Sequence, residues 1–299
     1  VAAGFVQRGK AVGGFDAYVT SNVLSGSGLS SSAAYEVLVG NIFNHLFCAD
    51  ALTPMELAQI GQKAENVYFG KPCGLMDQAA SAVGSAVAID FADPAAPVVR
   101  RIDFDFDQCG YALCIVDTGS CHADLTDDYA SIPQEMGQVA AYFGQTVLRD
   151  VDQKRFWAEL ASLRAQVGDR AILRAIHFFH DDRRAAEEAD ALAAGQFQRF
   201  LDLVNESGRS SAEFLQNVIA GTDPKEQAVA LSLAVAQEAL GGQGAVRIHG
   251  GGFAGTIQAF VPNDRLEHFR STMENLLGSG MCHVLRIRPV GGCVVYAND

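Results

Sequence analysis

Residues 24–34 read Leu24-Ser25-Gly26-Ser27-Gly28-Leu29-Ser30-Ser31-Ser32-Ala33-Ala34. Directly after this glycine and serine loop, apolar residues recur at helical spacing, namely Tyr35, Leu38, Ile42 and Leu46. Directly before it, Asp16 to Val23 alternates in the way that is typical of a strand. The stretch therefore predicts a strand, a glycine loop and a helix, with the four apolar residues on the buried face of the helix.

The loop has the composition of a phosphate site. Free backbone N–H groups at the start of a helix, with the positive end of the helix dipole behind them, bind anions. Glycines let the backbone approach a ligand closely, and serine hydroxyls bond phosphate oxygens or ligate Mg²⁺. The segment lacks the Gly-Lys-Ser/Thr end of a P-loop. An ordinary turn with serine caps is the alternative reading of the same residues.

Two acids bracket the next turn, Gly70-Lys71-Pro72-Cys73-Gly74. Thr53-Pro54-Met55-Glu56 is a capping box that starts a helix, and this helix carries Glu65 and ends near Gly70. A further helix over Leu75 to Ser81 puts Asp77 in its first turns. Phosphoryl transfer needs oxygen ligands for a metal and a carboxylate that accepts the proton of the attacking hydroxyl. A surface Glu65 and a helix-start Asp77 without a catalytic role are the alternative.

The second half of the chain reads as α+β. From Tyr129 to Gly241 the apolar spacing is mostly helical. The strands predicted after this stretch are 245–248, 256–261, 281–288 and 293–296, with a helix over 265–277. Four glycines stand between the first two of these strands, at Gly250, Gly251, Gly252 and Gly255, and allow a ligand to approach closely, whereas a plain hairpin is the alternative. We place a domain boundary near Asp107.

Composition excludes several classes of protein. The chain has 299 residues, of which 49% are hydrophobic, so it can bury a sizeable core in two domains. Its formal net charge of -13 disfavours nucleic acid and anionic membrane surfaces as partners. No apolar run reaches the length of a membrane span. Seven cysteines without a C-x-x-C pair fit reduced thiols, so we expect a soluble cytoplasmic protein.

Taken in order, three segments resemble the galactokinase branch of the GHMP small-molecule kinase family. The first is Gly26 to Ala33, which looks like the family's phosphate loop. The second is Glu65 to Ser81, whose Pro-Cys-Gly-x-Met-Asp-Gln run is close to specific for this branch. The third is Gly250 to Thr256, which is similar to the C-terminal glycine motif. With the helical segments between them, the resemblance covers essentially the whole chain.

The resemblance implies a role for each matching residue. Asp77 would be the base that faces the sugar hydroxyl, and Ser32 and Glu65 would hold Mg²⁺. The residues implied to cradle the ATP phosphates are Gly26, Ser27, Gly28, Leu29, Ser30, Ser31 and Ser32. The residues implied to contact or line the sugar site, besides Asp77, are Cys73, Gly74, Tyr129, Gly251 and Gly252.

The resemblance also implies a fold. Residues 1–107 would form a GHMP kinase N-terminal domain of two-layer α/β type, like domain 2 of ribosomal protein S5, and residues 108–299 a ferredoxin-like C-terminal domain. The chain opens Val1-Ala2-Ala3-Gly4, without Met and without the family's sugar signature. We therefore expect that a stretch on the order of a hundred residues precedes it in the natural protein.

The activity implied is transfer of the γ-phosphoryl group of ATP to the anomeric hydroxyl of galactose, with Mg²⁺ as cofactor. We expect a monomer whose partners are ATP and the sugar. Family members usually carry arginines where this chain has Ala130 to Glu135, and a glycine where it has Ala254. The sugar therefore stays open, and other GHMP kinases acting on N-acetylgalactosamine, heptose phosphate or mevalonate are alternatives. A sugar- and ATP-binding regulator without catalysis and an inactive truncated product are further alternatives.

Overall fold

The chain divides into two compact units, Val1–Asp105 with Ile287–Asp299, and Phe106–Arg286. A computed structural model of the protein describes residues 1–23, 29–71, 73–94, 96–120, 125–220 and 225–296. Residues 108–299 are predicted to form one domain, whereas the structure groups residues 287–299 with the first unit. The extent of the two family domains stays a prediction.

The described residues of the first unit form four helices, a π-helical turn and one hairpin. The helices are α1 (Ala2–Gln7), α2 (Ser31–Cys48), α3 (Pro54–Lys63) and α4 (Met76–Val83), the π-helical turn is Ala64–Tyr68, and the strands are β1 (Ala86–Asp90) and β2 (Val98–Ile102). The hairpin is antiparallel, with Ala88 opposite Arg100. Two clusters of buried apolar side chains hold the helices together, one around Phe5, Phe43 and Ile60 and one around Val37, Ala58 and Ala79.

The capping box at Thr53 is confirmed. The Thr53 hydroxyl accepts a hydrogen bond from the backbone N–H of Glu56, and the Glu56 carboxylate accepts one from the backbone N–H of Thr53 at 2.8 Å. These bonds satisfy two donors that a helix start otherwise leaves unpaired. The following π-helical turn continues α3 with one wider turn, and its second residue is Glu65.

The buried face predicted for α2 is wrong. Tyr35 and Leu46 are more than half exposed, Leu38 is also exposed, and Ile42 is only partly buried. The face turned inward carries instead Ala33, Glu36, Val37, Gly40, Phe43 and Asn44. Small residues on this face allow α3 to approach, because Gly40 lies against Leu57. Helical spacing identifies an apolar face of α2 but does not show which face is buried. The buried face is the one whose small residues allow close packing with α3.

Two predicted strands do not form. The residues from 10 to 22 have no regular secondary structure and are mostly exposed, although Asp16 to Val23 was predicted as a strand. Residues 293–296 are likewise irregular, and Val295 and Tyr296 are exposed. A strand needs a partner for its backbone hydrogen bonds, and no described strand pairs with either segment.

The second unit consists of a four-stranded sheet and a set of helices. The strands are β3 (Tyr111–Asp117), β4 (Ala245–Ile248), β5 (Thr256–Pro262) and β6 (Cys282–Leu285). The helices are α5 (Thr126–Tyr142), α6 (Gln153–Ala158), α7 (Leu160–Val167), α8 (Asp169–Ala193), α9 (Phe197–Ser210), α10 (Ala228–Leu240) and α11 (Leu266–Leu277), and a second π-helical turn covers Ser211–Leu215.

The order of strands in this sheet is β4-β5-β3-β6, and all neighbours are antiparallel. Helices α5 to α10 lie between β3 and β4 in the chain, and α11 lies between β5 and β6. This is the β-α-β-β-α-β arrangement of ferredoxin-like domains. The α+β class is confirmed. No helix among the described residues is both long and apolar enough to cross a membrane.

The last residues of the first unit pack against α4 through a glycine. A Cβ atom placed on Gly291 would overlap the backbone carbonyl of Ala82 in α4. The same segment is tied to the hairpin, because Arg101 donates a hydrogen bond to the carbonyl of Pro289 at 2.9 Å. Only a residue without a side chain lets the two backbones come this close.

We expect Gly291→Ala to lower the free energy of unfolding by about 3 kcal/mol, because the new methyl group meets rigid backbone. Urea unfolding followed by circular dichroism measures the loss. Gly14→Ala, in the same unit, is the control, since a Cβ there meets nothing within 4 Å and should change stability by less than about 0.5 kcal/mol. A Gly291→Ala protein as stable as the control would show that residues 287–299 do not pack on α4.

Candidate active site

The N-terminus of α2 is prepared for an anion. Ser30 is its N-cap residue, with φ 50° and ψ 57° in the left-handed region, and its side chain does not cap the helix. The first turn contains no acidic residue, and the helix is 18 residues long. The positive end of the helix dipole therefore meets no carboxylate of its own first turn. Of the predicted phosphate loop, Leu29, Ser30, Ser31 and Ser32 are described, whereas Gly26, Ser27 and Gly28 lie outside the described residues.

Asp77 lies in the first turn of α4, as predicted, and its side chain is exposed. Its carboxylate accepts a hydrogen bond from the hydroxyl of Ser30. The proposed base and the start of the predicted phosphate helix are therefore in direct contact within the first unit.

Glu65 is buried with 4% of its surface exposed, and four side chains bond its carboxylate. Lys71 Nζ and Ser32 Oγ donate to Oε1 at 2.8 and 3.1 Å, while Gln78 Nε2 and Cys73 Sγ donate to Oε2 at 3.1 and 3.3 Å. Its position in a π-helical turn is typical of functional sites. The structure thus brings together two predicted metal ligands, Ser32 and Glu65, and one predicted sugar-site residue, Cys73.

The electrostatics of this cluster keep Glu65 ionised. Burial acts to raise the pKa of Glu65, but the hydrogen bonds from Lys71, Cys73 and Ser32 outweigh it and the pKa is lowered. The hydrogen bond to Glu65 in turn raises the pKa of Lys71. Burial and the bond to Glu65 raise the pKa of the Cys73 thiol, so Cys73 stays a neutral donor.

A second buried carboxylate, Glu36 of α2, joins the cluster through Gln78. The amide nitrogen of Gln78 donates to Glu36 Oε2 and to Glu65 Oε2, each at 3.1 Å, and Gln78 is 1% exposed. Burial raises the pKa of Glu36. Glu36, Lys71 and Gln78 are not among the site residues predicted from the sequence. Gln78 and Lys71 lie inside the segment quoted there, and an acid among the apolar residues of a helix was the signal for Glu36.

The turn around Cys73 is held by side-chain amides. The backbone N–H of Cys73 donates to Asn66 Oδ1 at 2.6 Å, and its carbonyl accepts from Gln62 and Asn66, each at 3.2 Å. Gly74 is exposed, and a Cβ atom there meets nothing within 4 Å. Packing therefore does not require glycine at position 74.

The remaining predicted sugar-site residues lie together in the second unit. The Tyr129 hydroxyl donates to the carbonyl of Gly252 at 2.8 Å, and a Cβ atom on Gly251 would stand 2.8 Å from the Tyr129 ring. The ring meets Phe253 edge-on, with 5.4 Å between centroids. Gly252 adopts φ 84°, which favours glycine. Burial raises the pKa of Tyr129, so its hydroxyl remains protonated.

Comparison with known proteins finds similarity to small-molecule kinases. Residues 1–85 match the family described as GHMP kinases N terminal domain. A galactokinase of Actinobacillus pleuropneumoniae is 35% identical over 259 residues, which are 86% of this chain and 64% of that protein. A galactokinase of Glaesserella parasuis serovar 5 is 34% identical over the same shares. The chain thus spans just under two thirds of the length of these relatives.

Solved structures show the same fold. Lactococcus lactis galactokinase, crystallised with galactose, matches with a TM-score of 0.68 and 25% identity over 91% of this chain and 68% of that one. L. major mevalonate kinase, crystallised in complex with R-mevalonate, matches with a TM-score of 0.57 and 15% identity over 88% of this chain and 66% of that one. The second similarity concerns the fold alone.

We expect Lys71→Met to destabilise the protein in a pH-dependent way. A lowered Glu65 pKa contributes stability above the pKa of the unfolded chain, and this contribution is lost as pH falls through the folded pKa. Without Lys71 the pKa of Glu65 rises, so the deficit is largest at pH 7 and disappears toward pH 3. Because Lys71 is mostly exposed, we expect the variant to lose about 0.5–1 kcal/mol of unfolding free energy at pH 7.

Urea unfolding at a series of pH values measures this effect. Lys63→Met is the matched control, because Lys63 bonds the uncharged amide of Gln7 at 2.7 Å and should give the same difference at every pH. A Lys71→Met deficit that does not change between pH 7 and pH 3 would show that Glu65 is not held as an anion by Lys71.

Proposed function

We propose that the chain belongs to the GHMP kinase family and acts as a galactokinase, transferring the γ-phosphoryl group of ATP to the anomeric hydroxyl of galactose. The observation that carries the proposal is the hydrogen bond between Ser30 and Asp77. This bond places the Asp77 carboxylate beside the start of α2, whose first turn contains no acidic residue. Phosphoryl transfer needs a phosphate site and a proton acceptor next to each other.

In the proposed reaction the anomeric oxygen of the sugar attacks the γ-phosphorus of ATP. Asp77 takes the proton of that hydroxyl, the bond from the γ-phosphorus to its bridging oxygen breaks, and ADP leaves with the electron pair. The first-turn N–H groups of α2 and the serines Ser30, Ser31 and Ser32 bind phosphate oxygens. The residues proposed to contact the sugar are Cys73, Gly74, Tyr129, Gly251 and Gly252.

Mg²⁺ fits the oxygens of Ser32 and Glu65. Both are hard donors, and 3.1 Å separates Ser32 Oγ from Glu65 Oε1. The described residues contain no group of three or more His, Cys, Asp or Glu side chains that could hold a metal. Proteins usually bind Mg²⁺ through one or two carboxylates and the substrate phosphates, so a complete protein cage is not needed. When bound, Mg²⁺ neutralises charge on the phosphates.

Lys71 competes with Mg²⁺ for Glu65, because its ammonium group already contacts Glu65 Oε1 at 2.8 Å. A cation on the same oxygen requires Lys71 to move away. The Lys71 side chain is 68% exposed, so it can turn toward solvent without leaving a buried charge behind. Lys71 would therefore have to leave this oxygen for Mg²⁺ to bind it.

The six described cysteines are free thiols, which supports the proposal of a reducing, cytoplasmic location. The monomeric state stays a prediction.

We expect Asp77→Asn in the full-length protein to lower kcat by about 10²- to 10⁴-fold, because the amide cannot accept the sugar proton. The dissociation constant of ATP should change by less than about threefold, since Asp77 acts on the hydroxyl and not on the nucleotide. Coupled measurement of ADP release gives kcat, and calorimetry gives the ATP affinity.

Asp202→Asn is the control, because Asp202 is an exposed acid of α9 whose carboxylate accepts a hydrogen bond from Gln198 at 3.0 Å, and it should leave turnover unchanged. Near-normal turnover of Asp77→Asn would remove Asp77 from the role of base. Phosphorylation of mevalonate, heptose phosphate or N-acetylgalactosamine in preference to galactose would keep the kinase and change its substrate. Binding of ATP and galactose without product would favour a regulator.

A further inference from the structure

Asn217 clamps the glycine loop that contacts Tyr129. It is 2% exposed and follows the π-helical turn Ser211–Leu215. Its side-chain Nδ2 donates to the carbonyl of Gly251 at 3.1 Å, and its backbone carbonyl accepts from the N–H of Phe253. A Cβ atom on Gly252 would overlap Asn217. Asn217 thus bonds or contacts three consecutive residues of the loop.

The clamped residues are the ones that hold Tyr129. The Tyr129 hydroxyl donates to the carbonyl of Gly252, and the ring packs against Gly251 and Phe253. Phe253 adopts φ 62°, a conformation that a side-chain-bearing residue keeps only where its surroundings enforce it. The hydrogen bonds from Asn217 are part of that enforcement.

A buried arginine, Arg174, bonds the backbone two residues before Asn217. Gln216, just before it, adopts φ 60° and ends the π-helical turn. Arg174 of α8 donates through Nε to the carbonyl of Leu215 at 3.3 Å, and through one terminal nitrogen to Ser131 and to Glu135, each at 2.9 Å. Ser131 and Glu135 belong to α5, the helix that carries Tyr129. Arg174 therefore connects the segment of Asn217 with the helix of Tyr129.

The carboxamide of Asn217 makes an incomplete set of hydrogen bonds. Its Oδ1 is buried and has no donor among the described residues, while Nδ2 is committed to the loop. A buried acceptor without a donor costs stability. The presence of an amide at position 217 is therefore explained by its other group, Nδ2, which donates a hydrogen bond. The donor's partner is the carbonyl of Gly251.

We propose that Asn217 is a positioning residue for sugar binding: it holds the carbonyls of Gly251 and Gly252 in place and through them sets the position of Tyr129. The inference rests on the proposed function, in which Tyr129 contacts galactose. Asn217 itself need not touch the sugar. Its effect is expected on the binding of galactose and not on that of ATP.

The test compares Asn217→Ala and Asn217→Asp with the wild-type full-length protein. Both variants lose the donor to Gly251, so both should raise the KM for galactose about five- to tenfold, the effect of losing one positioning hydrogen bond. The KM for ATP should stay within about twofold. Hydrogen exchange of the backbone amides at positions 250–255 should become faster in both variants, because the loop opens more often.

Asn205→Ala is the matched control. Asn205 also joins a helix to backbone of the sheet, since its Nδ2 donates to the carbonyl of Gly244 at 3.0 Å and its Oδ1 accepts from the N–H of Val246 at 3.1 Å. Its loss should speed exchange near positions 244–246 and leave the KM for galactose unchanged. The double variant Tyr129→Phe with Asn217→Ala should show less than the sum of the two single effects, because the residues act through one contact.

The outcomes separate the inference from the function on which it rests. If the wild-type protein neither binds nor phosphorylates galactose, the proposed function is wrong. In that case hydrogen exchange of the amides at positions 250–255, compared between Asn217→Ala and the wild type, still decides whether Asn217 holds the loop. Active wild-type protein with an unchanged galactose KM in Asn217→Ala overturns the inference. Additive effects of Tyr129→Phe and Asn217→Ala overturn it as well, because independent residues add.

Discussion

The buried carboxylate of Glu65 is the constraint on which the first unit depends. Its two oxygens receive hydrogen bonds from Ser32 on α2, from Lys71 and Cys73 in the turn after the π-helical segment, and from Gln78 on α4. A buried anion is tolerated only when its acceptors are satisfied, so the partners are held in fixed relation to it. The same bonds set the distance between the start of α2 and the start of α4, where Ser30 meets Asp77. The proposed chemistry therefore follows from a structural requirement.

Much of this arrangement could be predicted from the sequence. Thr53 and Glu56 specify the start of α3 by local hydrogen bonds. Asp77 lies in the first turn of α4, directly after the turn that precedes this helix. Local rules do not report which face of α2 is buried, because Tyr35 and Leu38 are as apolar as Val37 and Phe43. Nor do they show that Glu36 and Gln78 share the environment of Glu65, since that depends on α2, α3 and α4 packing together. The strand expected before the glycine loop shows the same limit, because pairing is a long-range property.

The second unit fixes its candidate site by other means. Glycine-rich backbone can adopt many conformations, so a loop such as residues 250–255 needs bonds from outside to keep one of them. Asn217 supplies bonds from one side and Tyr129 from another, while Arg174 joins the elements on which the two residues stand. Neither Asn217 nor Arg174 stood out in the sequence, because an asparagine after a helix and an arginine within one are common on protein surfaces. Their burial gives them their importance.

The measurement that tests the account most directly is phosphorus and proton NMR of the product formed from galactose, ATP and Mg²⁺ by the full-length protein. We expect one new sugar phosphate whose phosphorus couples to the anomeric proton, formed together with an equal amount of ADP. A phosphate ester on another carbon of the sugar would contradict the proposed orientation of the hydroxyl toward Asp77. ATP and galactose recovered unchanged, from a protein shown to be folded, would contradict the proposed kinase activity.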